Sequence, residues 1–170
     1  ERKMFPIPNF DWEGWDPYWA YVEEKQIPIV WHVNDPEEFW DEKRVPDWAR
    51  RSGWFYAEGD WVNNEDQYRQ IDNVLNRHPN LCIIFAHFYF LSAQLDRLSK
   101  IFEKCPNVGV DITPGIELFT NMSDNIKEAR NFFIKYQDRI YYGTDISRRP
   151  KNTDNDFSLQ DSKIRGMLCH

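Results

Sequence analysis

Two histidines and two aspartates stand where a reaction site could be built. His32 closes the run "IPIVWHV", His87 the run "LCIIFAHF", Asp111 sits in "NVGVDIT" and Asp145 ends "RIYYGTD". Each follows a short apolar stretch rich in β-branched and aromatic residues. Imidazole nitrogens and carboxylate oxygens bind Zn2+ or Mn2+. They also carry protons near neutral pH. Any one of these residues alone reads as a hydrogen-bonded core histidine or a turn-forming aspartate. Four of them at four equivalent positions point to a shared metal or acid–base site. Asp111 is the weakest member, because a turn follows it at once. His78, at a helix end in "NRHP", and His170, the last residue, do not join.

The elements that must position these residues are strands joined by helices. The four runs span 27–33, 81–88, 107–113 and 139–145. They are nearly continuous apolar stretches rather than alternating ones, as in strands covered on both faces of a parallel sheet. Amphipathic segments lie between them. "DPYWAYVEEK" (16–25) starts with an Asp suited to N-capping and Pro17 at the first helical position. Residues 65–79 follow Asn64 as the expected cap, 91–106 align a leucine stripe, and 123–139 start at a capping Ser123. "TPGIEL" (113–118) reads as a turn, with Glu117 a solvated loop charge or a contact to the site.

Parallel strands with helical crossovers make the class α/β. The later units repeat at about 26 to 32 residues, near the spacing of a (β/α)8 barrel, so about four βα units form a partial barrel. A small doubly wound sheet is the alternative. In either fold the functional side chains gather at the C-terminal ends of the strands. One interval breaks the rhythm. Residues 34–63 hold four Trp, two Phe and one Tyr among many charges, and they follow a strand. A loop of this length is a lid, a self-packed unit with a satellite core, or both.

Composition narrows the classes further. The chain has 170 residues read as a single domain, 41% hydrophobic and 16% aromatic, enough for a real core. Its net charge of −7 argues against nucleic acid. The basic run "SRRPK" (147–151) reads as a surface turn, and 148–170 as a polar tail. Cys82, Cys105 and Cys169 form no CxxC pair, so a reducing, cytoplasmic setting is expected. No membrane span or signal pattern is visible. There is no GxGxxG, no GxxxxGK[ST] and no GxSxG, so phosphate-cradle and serine-nucleophile chemistries lack their motifs.

Together "PIVWHVNDP", "RHPNLCIIFAHF", "PNVGVDITPGIELF" and "KYQDRIYYGTD" resemble the amidohydrolase-related family, the amidohydrolase 2 group of metal-dependent TIM-barrel enzymes. The resemblance covers about residues 15–147 in collinear order. It implies that the runs match the fifth to eighth barrel strands. His32 then matches a metal ligand, and His87 the histidine that polarises substrate or activates water. Asp145 matches the aspartate that binds metal and handles the nucleophile's proton. Asp111 matches no general ligand and is left lining the site.

The resemblance also implies a divalent metal, Zn2+ or Mn2+, and a small-molecule substrate hydrolysed through a metal-activated water. Decarboxylation of an aromatic or unsaturated acid is the alternative within the family. The aromatic-rich 34–63 loop would suit a flat ring, and a basic residue such as Arg44, Arg50 or Arg51 in the pocket would favour this alternative by clamping a carboxylate. The family's HxH pair on the first strand is absent here, so the chain is expected to be the C-terminal half of a longer barrel. A full barrel would need roughly 80 to 130 further residues upstream. A non-catalytic half-barrel, or a binding module that forms a homodimer, is the third reading.

Overall fold

The structure is a computed structural model that describes residues 8–113 and 115–146. Its chain alternates helix and strand: α1 (Asp16–Glu24), β1 (Ile29–Trp31), α2 (Asp47–Arg51), α3 (Asn64–Arg77), β2 (Ile83–Phe85), α4 (Leu95–Lys104), β3 (Val108–Asp111), α5 (Ile116–Asp124), α6 (Ile126–Lys135) and β4 (Ile140–Tyr141). All three strand pairings are parallel, and the spatial order is β1-β2-β3-β4.

Sequential order decides between the two expected architectures. A doubly wound sheet reverses direction at a switch point, which sends helices to both faces. Here no reversal occurs, and right-handed crossovers then place every helix on one face. Side-chain parity agrees. Ile29, Trp31, Ile83, Phe85, Val108, Val110 and Ile140 share one face, and all belong to or pack against a single core cluster. That cluster includes Trp19 of α1, Ile71 and Val74 of α3, Leu98 and Phe102 of α4, and Phe132 of α6. The opposite face carries Val30, Ile84, Gly109 and Tyr141, of which Val30 is 68% and Tyr141 45% exposed. A sheet in sequential order with helices outside only is part of a (β/α)8 barrel, and the doubly wound alternative does not hold.

Gly109 is required by close approach. A Cβ there would lie 2.7 Å from both the Arg139 carbonyl oxygen and the Tyr141 ring. Without a side chain on β3, the Tyr141 ring can lie across it.

Local signals differ from expectation at three helix starts. Asp16 is the first residue of α1 and makes no cap; its Oδ1 instead accepts from Arg77 at 3.0 Å. Asn63, not Asn64, caps α3, accepting the Glu65 N–H at 3.0 Å. The expected helix 123–139 is two helices. Asn125 starts α6 by accepting the Glu128 N–H at 3.3 Å, while Ser123 donates its hydroxyl to the Phe119 carbonyl within α5. "TPGIEL" runs into α5 rather than being only a turn, and this puts Glu117 on a helix.

The 34–63 segment has a core of its own. Phe39, Val45 and Ala49 are buried, with Trp40, Phe55 and Tyr56 packed on them, separate from the main cluster. No helix among the described residues is long and apolar enough to cross a membrane. The basic run 147–151, the tail 148–170, Cys169 and His170 lie outside the described residues.

Candidate functional site

His32 is the first residue past β1. Strand alternation puts it on the side of Val30, the face without helices. Asp111 ends β3 and pairs with Tyr141 on that same face. His87 arrives differently. Past β2 the backbone enters the left-handed region and stays there for four residues, His87, Phe88, Tyr89 and Phe90, with φ of 54°, 56°, 58° and 51°. None is glycine. For side-chain-bearing residues this costs roughly 1–2 kcal/mol each, so surrounding contacts must hold the turn.

Those contacts are visible. Phe88 and Tyr89 are fully buried. The Tyr89 ring stacks on Phe85 at 3.9 Å, and Tyr68 donates its hydroxyl to the Tyr89 carbonyl at 3.0 Å. Phe88 packs against Phe132 and Phe133. Asp111 completes the support. Its Oδ1 accepts the His87 backbone N–H at 2.8 Å and the Thr113 N–H at 3.0 Å.

The left-handed turn carries the His87 ring to His32. The two imidazoles meet edge to face with centroids 5.0 Å apart. Phe90 stacks on His87 at 5.2 Å and touches His32 at 5.5 Å, closing a cluster of three rings. Burial pushes the His87 pKa below the ordinary histidine value, and His32 adds to that push; Asp145, Asp111 and Asp35 pull the other way. The downward direction favours the uncharged imidazole over the imidazolium.

Asp145 is exposed at the end of β4's run, with its backbone at φ 52°, and it acts on His87 electrostatically. Gly143 fits the end of this run against β3. A Cβ there would collide with the Thr113 hydroxyl and lie 3.4 Å from the Asp111 carboxyl carbon.

Sequence reasoning missed Asp35. It follows His32 by three residues and reads as a turn former in "VNDP". Here it is half-buried, and its Oδ2 accepts the Tyr56 hydroxyl at 2.9 Å. Burial pushes its pKa up, against the Tyr56 hydrogen bond and the two histidines. The neighbouring Asn34 fixes the loop. Its side chain donates to the Asn64 carbonyl and accepts from the side chains of Asn64 and Gln67. A buried asparagine so fully bonded is the available signal that the residue beside it has a fixed place. Glu117 is half-buried rather than solvated, and its Oε1 is buried without a partner among the described residues. Burial raises its pKa, helped by Glu38 and Asp35.

These donors suit a divalent metal in type, but not in number. Among the described residues no three His, Cys, Asp or Glu side chains are grouped as a metal ion needs. The His32 and His87 rings meet, but two side chains do not make such a group.

The sequence pattern of the amidohydrolase family matches residues 5–150. No curated protein matches the chain. Two solved structures resemble it. One is an uncharacterized TIM-barrel protein from Bordetella bronchiseptica, at 16% identity and a TM-score of 0.48, covering 95% of this chain and 52% of that one. The other is a 2,6-dihydroxybenzoate decarboxylase complexed with 2,6-dihydroxybenzoate, at 17% identity and a TM-score of 0.47, covering 90% of this chain and 49% of that one. The chain thus spans about half the length of each. With the family pattern matched over most of its residues, the chain belongs to the amidohydrolase family.

Proposed function

We propose that the chain is the domain of a small-molecule hydrolase in which His32 and Asp145 help to hold a divalent metal, Zn2+ or Mn2+, and His87 polarises the substrate oxygen. The observation that carries this reading is the His87 ring, its pKa lowered by burial, set against His32 at 5.0 Å on the strand-end rim of a chain from this family. A divalent metal at such a rim supplies a water of lowered pKa and Lewis-acid polarisation of a carbonyl. Among the described residues no three His, Cys, Asp or Glu donors group, and this reading requires further ligands.

The chain's own residues have separate tasks. His87, its uncharged form favoured by burial, offers a ring N–H to the oxygen on which negative charge develops. Phe90 stacks on that ring and limits its rotation. Asp111 holds the His87 backbone through its N–H. Asp145, the exposed carboxylate, takes the proton that the attacking water loses.

Hydrolysis fits better than decarboxylation of an acid. A guanidinium clamp would favour a carboxylate substrate, and two of the three arginines of the 34–63 segment are engaged in the loop itself. Arg44 pairs with Glu37 at 2.7 Å and Glu38 at 3.1 Å, and Arg50 lies over the Phe55 ring at 4.1 Å. The charged groups that act on His87 are Asp145, Asp111 and Asp35, and carboxylates would repel an anion.

Metal analysis of the purified full-length protein, with His32→Ala as the comparison, tests the assignment. The variant is expected to lose bound metal while its circular dichroism is unchanged. Equal metal content in both proteins would remove His32 from the ligand set and the hydrolytic reading with it.

A further inference from the structure

A cavity of about 230 Å3 opens between the 34–63 segment and the start of α3. Its walls include Trp40, Tyr56 and Trp61, with Val33, Gln67 and the carboxylate of Asp35. The rings do not lie parallel. Trp40 meets Tyr56 at 50° with centroids 4.7 Å apart, and Tyr56 meets Trp61 at 63° and 5.1 Å. Rings at such angles form the corner of a box rather than a stack. Trp40 is pinned there, donating its indole N–H to the Val62 carbonyl at 3.1 Å.

Asp35 gives the box a charge. Its Oδ2 takes the Tyr56 hydroxyl, while Oδ1 accepts no hydrogen bond and neither oxygen meets a lysine or arginine among the described residues. A half-buried carboxylate without a cation partner is costly to keep. No basic side chain among the described residues lines the cavity. Glu117 feels both Asp35 and Glu38, so the field over this end of the sheet is negative. Aromatic faces attract cations through their quadrupoles, and most strongly where water is thinned.

We propose that this cavity binds a small organic cation, an alkylammonium or quaternary ammonium group, with Trp40 and Tyr56 as the aromatic walls and Asp35 as the counter-charge. The polar carboxylate fixes the charged head, and the rings accept its methyl surface. This reading does not depend on whether a metal sits at the histidines.

Choline and its uncharged isostere 3,3-dimethyl-1-butanol are suitable probes, titrated into the full-length protein with EDTA present. Readouts are indole fluorescence and the indole N–H resonance of Trp40, identified with Trp40→Phe. Choline is expected to shift the Trp40 resonance saturably, and the alcohol to bind weaker by on the order of tenfold or more. Asp35→Asn is expected to erase that difference, and Tyr56→Phe, which keeps the ring, to preserve it. Equal binding of the two probes by the wild-type protein, or no response to either, would overturn the proposal even if Asp35→Asn failed to fold. Because EDTA removes metal, these outcomes are separate from the test of the histidine site.

Discussion

The carboxylate of Asp111 accepts the backbone N–H of His87 at 2.8 Å, across 24 residues of sequence. The end of β3 therefore sets the backbone from which the histidine of β2 projects. Asp111 positions His87 through its backbone. Replacing it by alanine leaves the His87 and Thr113 N–H groups without their acceptor, which should cost about 1–3 kcal/mol per unsatisfied buried group. Asp111→Asn keeps an acceptor oxygen and should lose less. Urea midpoints of the two variants check the order. Equal losses for the two variants would show that charge, which both remove, rather than hydrogen bonding holds the turn.

The His87 pKa gives a second expectation. Its folded value lies below the ordinary 6.5, so the unfolded chain takes up the proton more readily. Stability is at its full level above the ordinary value and falls as pH drops below it toward the folded value. His87→Gln should flatten that part of the stability–pH curve. A wild-type curve that is level through this window would show that the His87 ring is as solvated folded as unfolded.

Phe90 allows the left-handed turn to be tested apart from packing. Phe90→Gly and Phe90→Ala both delete the ring, but only glycine is at ease at φ 51°. Glycine should be the more stable of the two by about 1 kcal/mol. Thermal melts of the pair decide this, and alanine matching glycine would refute the turn's geometry.

Asp35 carries the opposite pH sign to His87. Its folded pKa is raised by burial, so the carboxylate opposes folding once it ionises. Asp35→Asn still accepts the Tyr56 hydroxyl without the charge. It should stabilise the protein at neutral pH, and the gain should vanish as pH falls through the range where the folded Asp35 becomes protonated. Gains in stability at a site residue accompany loss of function when the residue is kept for binding.

Much of this arrangement was legible in the sequence, because apolar runs and helical stripes report burial. The four runs became four parallel strands, shorter than the runs themselves; β4, for example, is Ile140–Tyr141 within 139–145. Sequential strand order, which separates barrel from doubly wound sheet, is a pairing fact that no single run contains. The turn at His87–Phe90 was hidden for a chemical reason. Phe, Tyr and Phe favour extended backbone, and only tertiary contacts from Tyr68, Phe85 and Asp111 hold them left-handed. Asn63 and Asn64 are alike as caps, and the choice fell to Asn63 because Asn64 is bound to Asn34. Asp35 was overlooked because its role depends on Tyr56, 21 residues away in a segment without periodicity.

The separate core of the 34–63 segment has an evolutionary consequence. Phe39, Val45 and Ala49 hold Trp40 and Tyr56 in place without drawing on the residues that cover the sheet. Distant sites with no shared partners change independently. On the proposed reading of the cavity, ligand preference can drift by altering this one segment, while the strands that carry His32 and His87 stay under their own selection. For an engineer, the same division marks where to graft a new specificity and where to leave the chain alone.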